Sequence, residues 1–197
     1  MKIVRPLSEQ PMPKSAKRVF KGVVFDVYQW QQQMFDGTYE TFEKIKRVDT
    51  VIVLPVTKEG KIILTKQQQP NGKPFTGVAG GRVDEGEGVL AAAKRELLEE
   101  TGYEAVKFEL LDAIQPVGKI DWALYTFIAK GCKKVAEIKP DAGEKIELMP
   151  VSFEEFLEIS VGENFRDPEI PEKLLRDGYA KIVWNKSRLS RLKKMFS

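Results

Sequence analysis

GRVDEGEGVLAAAKRELLEETGY, residues 81 to 103, is the stretch whose reading decides the fold. Gly80 and Gly81 are predicted to form a hinge, Glu87 follows in a Gly-rich loop, and a helix is predicted from about Val89 to Thr101. Gly102 falls where a helix C-terminus favours a residue that tolerates positive φ. Within that helix Glu96, Glu99 and Glu100 stand at i, i+3 and i+4, so three carboxylates share one face. Leu90, Ala93 and Leu97 repeat the spacing on an adjacent face, the side that can bury. Like charges one turn apart destabilise a helix, so this face needs a counter-charge. Arg95 can reach Glu99, but one guanidinium cannot neutralise three carboxylates plus Glu87.

A hard divalent cation is the obvious counter-ion. Mg²⁺ takes oxygen ligands, keeps several waters, and is commonly shared between protein carboxylates and substrate phosphates. From Gly81 to Gly102 six acids (Asp84, Glu85, Glu87, Glu96, Glu99, Glu100) face three bases (Arg82, Lys94, Arg95), although the whole chain carries +3. A concentrated acidic site within a basic protein suits a metal-bridged anionic substrate. The bland alternative is a solvated helix face.

The 197 residues fit one domain with a small appended subdomain and can bury a sizeable core. No apolar run approaches the ~20 residues that span a bilayer, and the first ten residues lack a signal-peptide core, so the cytoplasm is the expected location and no membrane partner is expected. Cys132 is the single cysteine, expected to be a small buried hydrophobe. The chain contains no histidine, which excludes Ser-His-Asp and Cys-His catalysis and any histidine base. Proton transfer must fall to carboxylates, Lys, Tyr or metal-bound water.

The stretch reads Gly81-x5-Glu87-x7-Arg95-Glu96-Leu97-x-Glu99-Glu100-x-Gly102-Tyr103. It resembles the box of the Nudix hydrolases, departing only in carrying Tyr103 at a terminal aliphatic position. A looser likeness to the ADP-ribose and nucleoside-diphosphate-sugar pyrophosphatase branch extends over roughly residues 18 to 160. That branch places Glu-Leu-Pro-Ala-Gly before and into the box. Here Gly77-Val78-Ala79-Gly80-Gly81 stands there, without the Glu and the Pro. The resemblance implies an α+β fold, a Nudix α/β/α sandwich with a mixed sheet, preceded by an N-terminal antiparallel β hairpin.

The chain in order fits that outline. Residues 1 to 17 read as a loosely ordered arm. Residues 18 to 30, RVFKGVVFDVYQW, read as one strand, and Asp36-Gly37 as a two-residue hairpin turn into TYETFEKIKRV. Thr50–Val56 is a near-continuous apolar run, the mark of a central strand, and KIILTKQ follows as the next. Two strands come after the box, near 106–115 and 122–130, then EKIELMPV. Ser152 and Glu155 form a capping box for SFEEFLEIS. Asp167-Pro168 opens a short helix that Gly178 is expected to end, and the tail from Lys181 is expected to form a basic helix. The division expected is 1–48, arm and hairpin, and 49–197, the Nudix domain. In the resembling branch the N-terminal strands cross to a second subunit, which implies a homodimer through residues 18 to 48; a hairpin folded on its own subunit is the alternative.

By the same resemblance Glu96, Glu99 and Glu100 occupy metal-ligand positions, the Gly80 carbonyl is a further ligand, and Arg95 and Glu87 orient and complete the site. Mg²⁺ is the implied cofactor, with Mn²⁺ as its substitute. The branch's general base lies on an acidic loop after the box, here Glu144, with Asp141 as runner-up. Lys66, Arg82 and Lys119 are candidates to touch phosphates; Trp30, Phe35, Trp122 and Tyr125 are candidates to stack a base, each with core or hairpin packing as its alternative. The implied function is hydrolysis of the pyrophosphate bond of a nucleoside diphosphate joined to a second moiety, ADP-ribose or a nucleotide sugar foremost. A nucleoside-triphosphate pyrophosphohydrolase and a non-catalytic nucleotide-binding regulator are the alternatives. Nucleic acid is not an expected partner.

Overall fold

Side-chain alternation along one strand sets the layers of this computed structural model, which describes residues 3–139 and 143–177. That strand is β4 (Thr50–Thr57), preceded by β1 (Lys17–Lys21), β2 (Asp26–Gln33) and β3 (Tyr39–Lys46). It is followed by β5 (Ile62–Gln68), β6 (Phe75–Gly77), β7 (Ala79–Arg82), α1 (Val89–Thr101), β8 (Tyr103–Glu104), β9 (Lys107–Ile114) and β10 (Ile120–Asp121). β11 (Leu124–Lys134), β12 (Lys145–Val151), α2 (Phe153–Ser160) and α3 (Glu169–Arg176) complete the described chain. Val51 and Val53 point to one face of β4, where Ala92, Ala93 and Leu97 of α1 cover them. Ile52 and Leu54 point to the other, under Phe156 and Leu157 of α2 and Ile170 of α3. A strand buried on both faces explains the unbroken apolar run.

The main sheet has eight strands in the order β12-β5-β4-β11-β8, with β6 on β5, β7 on β4 and β9 on β11. β11 runs parallel to β4 and the other pairs are antiparallel, so the sheet is mixed. With α1 on one face and α2 and α3 on the other, this is the expected α/β/α sandwich.

Four expectations need correction. Residues 18–30 are two strands, because the chain reverses at Gly22–Phe25, where the Gly22 N–H donates to the Phe25 carbonyl. The turn at Asp36-Gly37 is a five-residue loop, since Gln33 pairs with Tyr39; the Asp36 carboxylate caps it by accepting from the Thr38 N–H and hydroxyl. The segment before β1 is docked. Arg5 bridges Asp49 and Asp121 at 2.8 and 2.9 Å, and the buried Lys44 ammonium donates to the Ser8 hydroxyl and Gln10 carbonyl. Gly80 and Gly81 form no hinge; they are strand residues of β7, paired with Ile52 and Val51. The hairpin is also less local than expected, since β3 takes β10 as a parallel neighbour to give a four-stranded sheet.

The helix limits match the reading. Gly102 ends α1 at φ 72°, its N–H donating to the Leu98 carbonyl, and a Cβ there would lie 2.1 Å from the Ala136 carbonyl oxygen. The Ser152–Glu155 capping box is fully formed. Gly178, Asp141 and the basic tail lie outside the described residues.

Candidate active site

α1 and β7 form one wall of a cleft of about 680 Å³. Pairing of β7 with β4 carries Gly80 and Gly81 beneath the carboxylates of α1. A Cβ at Gly81 would stand 2.2 Å from Glu96 Oε1, so only glycine leaves room for that carboxylate. Glu96 and Glu100 are buried, and Glu99 is the most open of the three.

Arg95 organises these acids. Its Nε and Nη2 donate to the two oxygens of Glu87 at 3.1 and 3.0 Å, and Nη2 also reaches the Arg82 carbonyl at 2.9 Å. Its Nη1 donates to Glu96 at 2.8 Å and Glu99 at 3.0 Å. The bidentate contact from Arg95 holds the Glu87 carboxyl below its usual range. Glu87 also accepts from the Asp84 N–H, which closes the loop before the helix.

Glu100 is held differently. Its Oε2 accepts from the Gly80 N–H at 3.1 Å and Gln67 Nε2 at 3.3 Å. Burial pushes its carboxyl up to about 8 against the lowering effect of the Gly80 N–H, with Glu96, Glu144 and Asp167 adding to the rise. Glu144 faces the cleft from the segment before β12, accepting from Gln69 at 3.2 Å. Asp167 enters from the start of α3. Its Oδ2 accepts from the Val78 N–H at 2.9 Å, and burial pushes its carboxyl up to about 6.

The opposite wall is cationic and aromatic. Arg47 lies with its guanidinium carbon 4.8 Å from the Trp122 ring centre and 5.7 Å from that of Phe25. The Trp122 indole N–H donates to the Thr50 hydroxyl at 2.9 Å, which fixes the ring. Arg166 covers the Phe75 ring at 4.6 Å. Arg82, at the end of β7, belongs to the first wall and also lines the cleft.

Several predicted residues thus meet at one cleft: Gly80, Arg82, Arg95, Glu96, Glu99, Glu100, Trp122 and Glu144, with Glu87 joined through Arg95. Others do not reach it. Trp30 is buried in the hairpin sheet against Phe42, its indole N–H given to Gln32. Lys119 sits over the Phe42 ring, Tyr125 is in the core under α1, and Phe35 is fully exposed. Lys66 is not among the cleft residues. Arg47, Gln67, Phe75, Arg166 and Asp167 were not anticipated. Only Asp167 had a signal, the Asp-Pro pair, and that pair reads as a helix start.

The NUDIX domain family matches residues 46–173, which takes in both walls of this cleft. The chain belongs to the NUDIX family. It is a hydrolase of diphosphate anhydrides. The ADP-ribose pyrophosphatase of Bacillus subtilis (strain 168) is 32% identical over 159 residues, covering 79% of this chain and 85% of that protein. The methanol dehydrogenase activator of Bacillus methanolicus is 28% identical over 145 residues, covering 72% of this chain and 78% of its own length. A crystal structure described as an ADP compounds hydrolase superposes with a TM-score of 0.69 over 89% of this chain and 97% of that one; at 18% identity it speaks for the fold.

The acidic wall of this Nudix site suits a hard cation. Its donors are all oxygens, and the buried Glu100 carboxyl meets hydrogen-bond donors without a positive side chain at pairing distance. Among the described residues no three acids converge on a preformed cage, because Arg95 draws Glu96 and Glu99 toward itself. Among the described residues, no helix is long and apolar enough to cross a membrane.

Proposed function

We propose that this Nudix hydrolase cleaves the pyrophosphate bond of a nucleoside diphosphate joined to a second moiety, with ADP-ribose or a nucleotide sugar as the substrate class. The observation that carries this reading is the polarised cleft, with Glu96, Glu99 and Glu100 on one wall and arginines against aromatic rings on the other. The named activity of the Bacillus subtilis relative supports the same class.

Glu96, Glu99, Glu100 and the Gly80 carbonyl would hold Mg²⁺, or Mn²⁺ in its place. That cation would polarise the phosphate oxygens and acidify a water. Arg95 keeps Glu87, Glu96 and Glu99 in register, while the Gly80 N–H and Gln67 aim Glu100. Glu144 takes the proton of the attacking water, its position set by Gln69. The water oxygen forms a bond to one phosphorus as the bridging P–O bond breaks, and the leaving phosphate retains the bridging oxygen. The products are a nucleoside monophosphate and the phosphorylated second moiety. Trp122 is positioned to stack a base or ribose, and Arg82 to meet phosphate oxygens.

We also propose a homodimer through residues 18–48. Val19, Phe20, Phe25 and Tyr39 are exposed apolar side chains of the hairpin segment, which a second copy would cover. Chromatographic identification of the products from ADP-ribose and nucleotide sugars tests the enzymatic reading. Equimolar nucleoside monophosphate and phosphosugar support it, and release of inorganic pyrophosphate from nucleoside triphosphates alone would refute it.

A further inference from the structure

The main chain crosses between the hairpin sheet and the main sheet at 47–49, from β3 to β4, and again at 122–123, from β10 to β11. The two crossings run side by side, because β10 lies parallel to β3 and β11 parallel to β4. Each sends one side chain into the cleft, Arg47 from the first and Trp122 from the second, and the guanidinium lies over the indole. Backbone pairing joins the crossings on either side of Trp122. The Arg47 N–H donates to the Asp121 carbonyl at 3.3 Å, and the Thr50 N–H to the Ala123 carbonyl at 2.9 Å.

Arg5 ties the same two crossings together, although it is not among the residues that line the cleft. Its Nε and Nη2 donate to the two oxygens of Asp49 at 2.8 and 2.9 Å, and Nη2 also donates to Asp121 at 2.9 Å. The Asp49 carboxylate accepts in addition from the Ala123 N–H at 2.9 Å. Asp49 adjoins Thr50, whose hydroxyl fixes the indole, and Asp121 adjoins Trp122 itself. The arm is anchored on both sides of this guanidinium: Ile3 packs on the core under α1, and Gln115 donates to the Pro6 carbonyl at 2.9 Å.

An isolated, exposed ion pair contributes little. Here the contact with Asp49 is bidentate, and the two carboxylates are only 19% and 18% exposed. Among the described residues no other cation stands at ion-pair distance from either acid. Both acids reach the same nitrogen of Arg5, so its removal would leave two like charges facing each other where the crossings meet.

We propose that Arg5 is a positioning residue for substrate binding: by tying Asp49 to Asp121 it sets the Arg47–Trp122 pair against which the base or ribose stacks. This rests on the pyrophosphatase reading and adds to it a determinant that lies outside the cleft, on the N-terminal arm.

The test is a double-mutant cycle followed by steady-state kinetics with ADP-ribose. Arg5→Gln should raise KM about tenfold with kcat little changed, because the acidic wall is untouched. In protein already carrying Trp122→Ala the same substitution should change KM by less than about twofold, since the side chain through which Arg5 acts is gone. An Arg5 that only braced the fold would lower Tm and leave equal factors in both backgrounds. Equal factors, an unchanged KM, or a loss confined to kcat would overturn the proposal. If Arg5→Gln shows no thermal transition, Asp121→Asn, which leaves the bidentate pair with Asp49, takes its place in the cycle and is judged by the same outcomes. Should the wild type cleave no diphosphate, the pyrophosphatase reading fails, and calorimetric titration of ADP into the same four proteins decides the positioning role separately. Weaker binding in Arg5→Gln, absent from the Trp122→Ala background, supports it; equal binding, equal weakening in both backgrounds, or a wild type that binds no ADP refutes it.

Discussion

The two walls of the cleft solve opposite charge problems in different ways. On the acidic wall a single guanidinium, Arg95, gathers Glu87, Glu96 and Glu99 within 2.8 to 3.1 Å. Only Glu100 is left to backbone and amide donors. On the cationic wall Arg47 and Arg166 lie on aromatic faces, and no carboxylate pairs with them among the described residues. The acidic wall is therefore largely self-consistent before anything binds, whereas on the cationic wall the Arg47 Nε is shielded from solvent without a hydrogen-bond partner. Self-consistency marks machinery that must hold its shape through a reaction; incompleteness marks recognition.

That contrast orders the expected effects of substitution. The largest should come from the proton acceptor. Glu144→Gln should lower kcat by roughly 10²–10⁴-fold with KM little changed, the usual worth of a general base. Steady-state kinetics check this; if Glu144→Gln is unaffected and Asp141→Asn is slow, the role moves to Asp141. Glu99→Gln and Glu100→Gln should each lower kcat by about 10²-fold or more. Wild-type rates in both would remove catalysis from the acidic wall.

The same contrast explains what could be read before the fold was known. The acidic wall is written in 23 consecutive residues, because helical periodicity alone brings Glu96, Glu99 and Glu100 to one side. The limits of α1, the αL glycine at 102 and the capping box at Ser152 were legible for the same reason: each is a local pattern. The cationic wall is not local. Arg47 meets Trp122 because β10 pairs in parallel with β3, the Arg47 N–H donating to the Asp121 carbonyl, and Arg166 meets Phe75 through the bridge between Thr76 and Phe165. No spacing rule links such positions. Trp30 and Lys119 went astray conversely. An aromatic and a lysine look like ligand contacts in sequence, but cross-strand pairing of β2 with β3 and stacking on Phe42 absorb them. The arm before β1 looked loose because ion pairs such as Arg5 with Asp49 and Asp121 leave no periodic trace.

Smaller effects sharpen the comparison further. On the cationic wall, Arg166→Gln and Arg47→Gln should each raise KM for the diphosphate substrate by about tenfold with kcat little changed. On the acidic wall, stability should depend on pH in a way the cationic wall cannot produce. The folded protein keeps the Glu100 proton up to about 8, against an ordinary value of 4.5. Between those values the folded state binds more protons than the unfolded one, so stability falls as pH rises. The metal-free Tm should therefore drop from about pH 5 to pH 8 and be restored by Mg²⁺ at the upper end. Glu100→Gln should flatten the profile; an unchanged slope in that variant would contradict the assignment. The least dependent on either wall is assembly. Light scattering at micromolar concentration should give a dimer mass, and Phe20→Asp should yield a monomer if the hairpin sheet is the contact.

The most direct test of the account is the cation dependence of product formation from ADP-ribose. Activity should vanish after chelation with EDTA and return with Mg²⁺, and Mg²⁺ should fail to restore Glu100→Gln to the wild-type rate. Full turnover in EDTA, or Mg²⁺-restored wild-type rates in Glu100→Gln, would contradict the claim that the carboxylates of α1 hold the metal that cleaves the diphosphate.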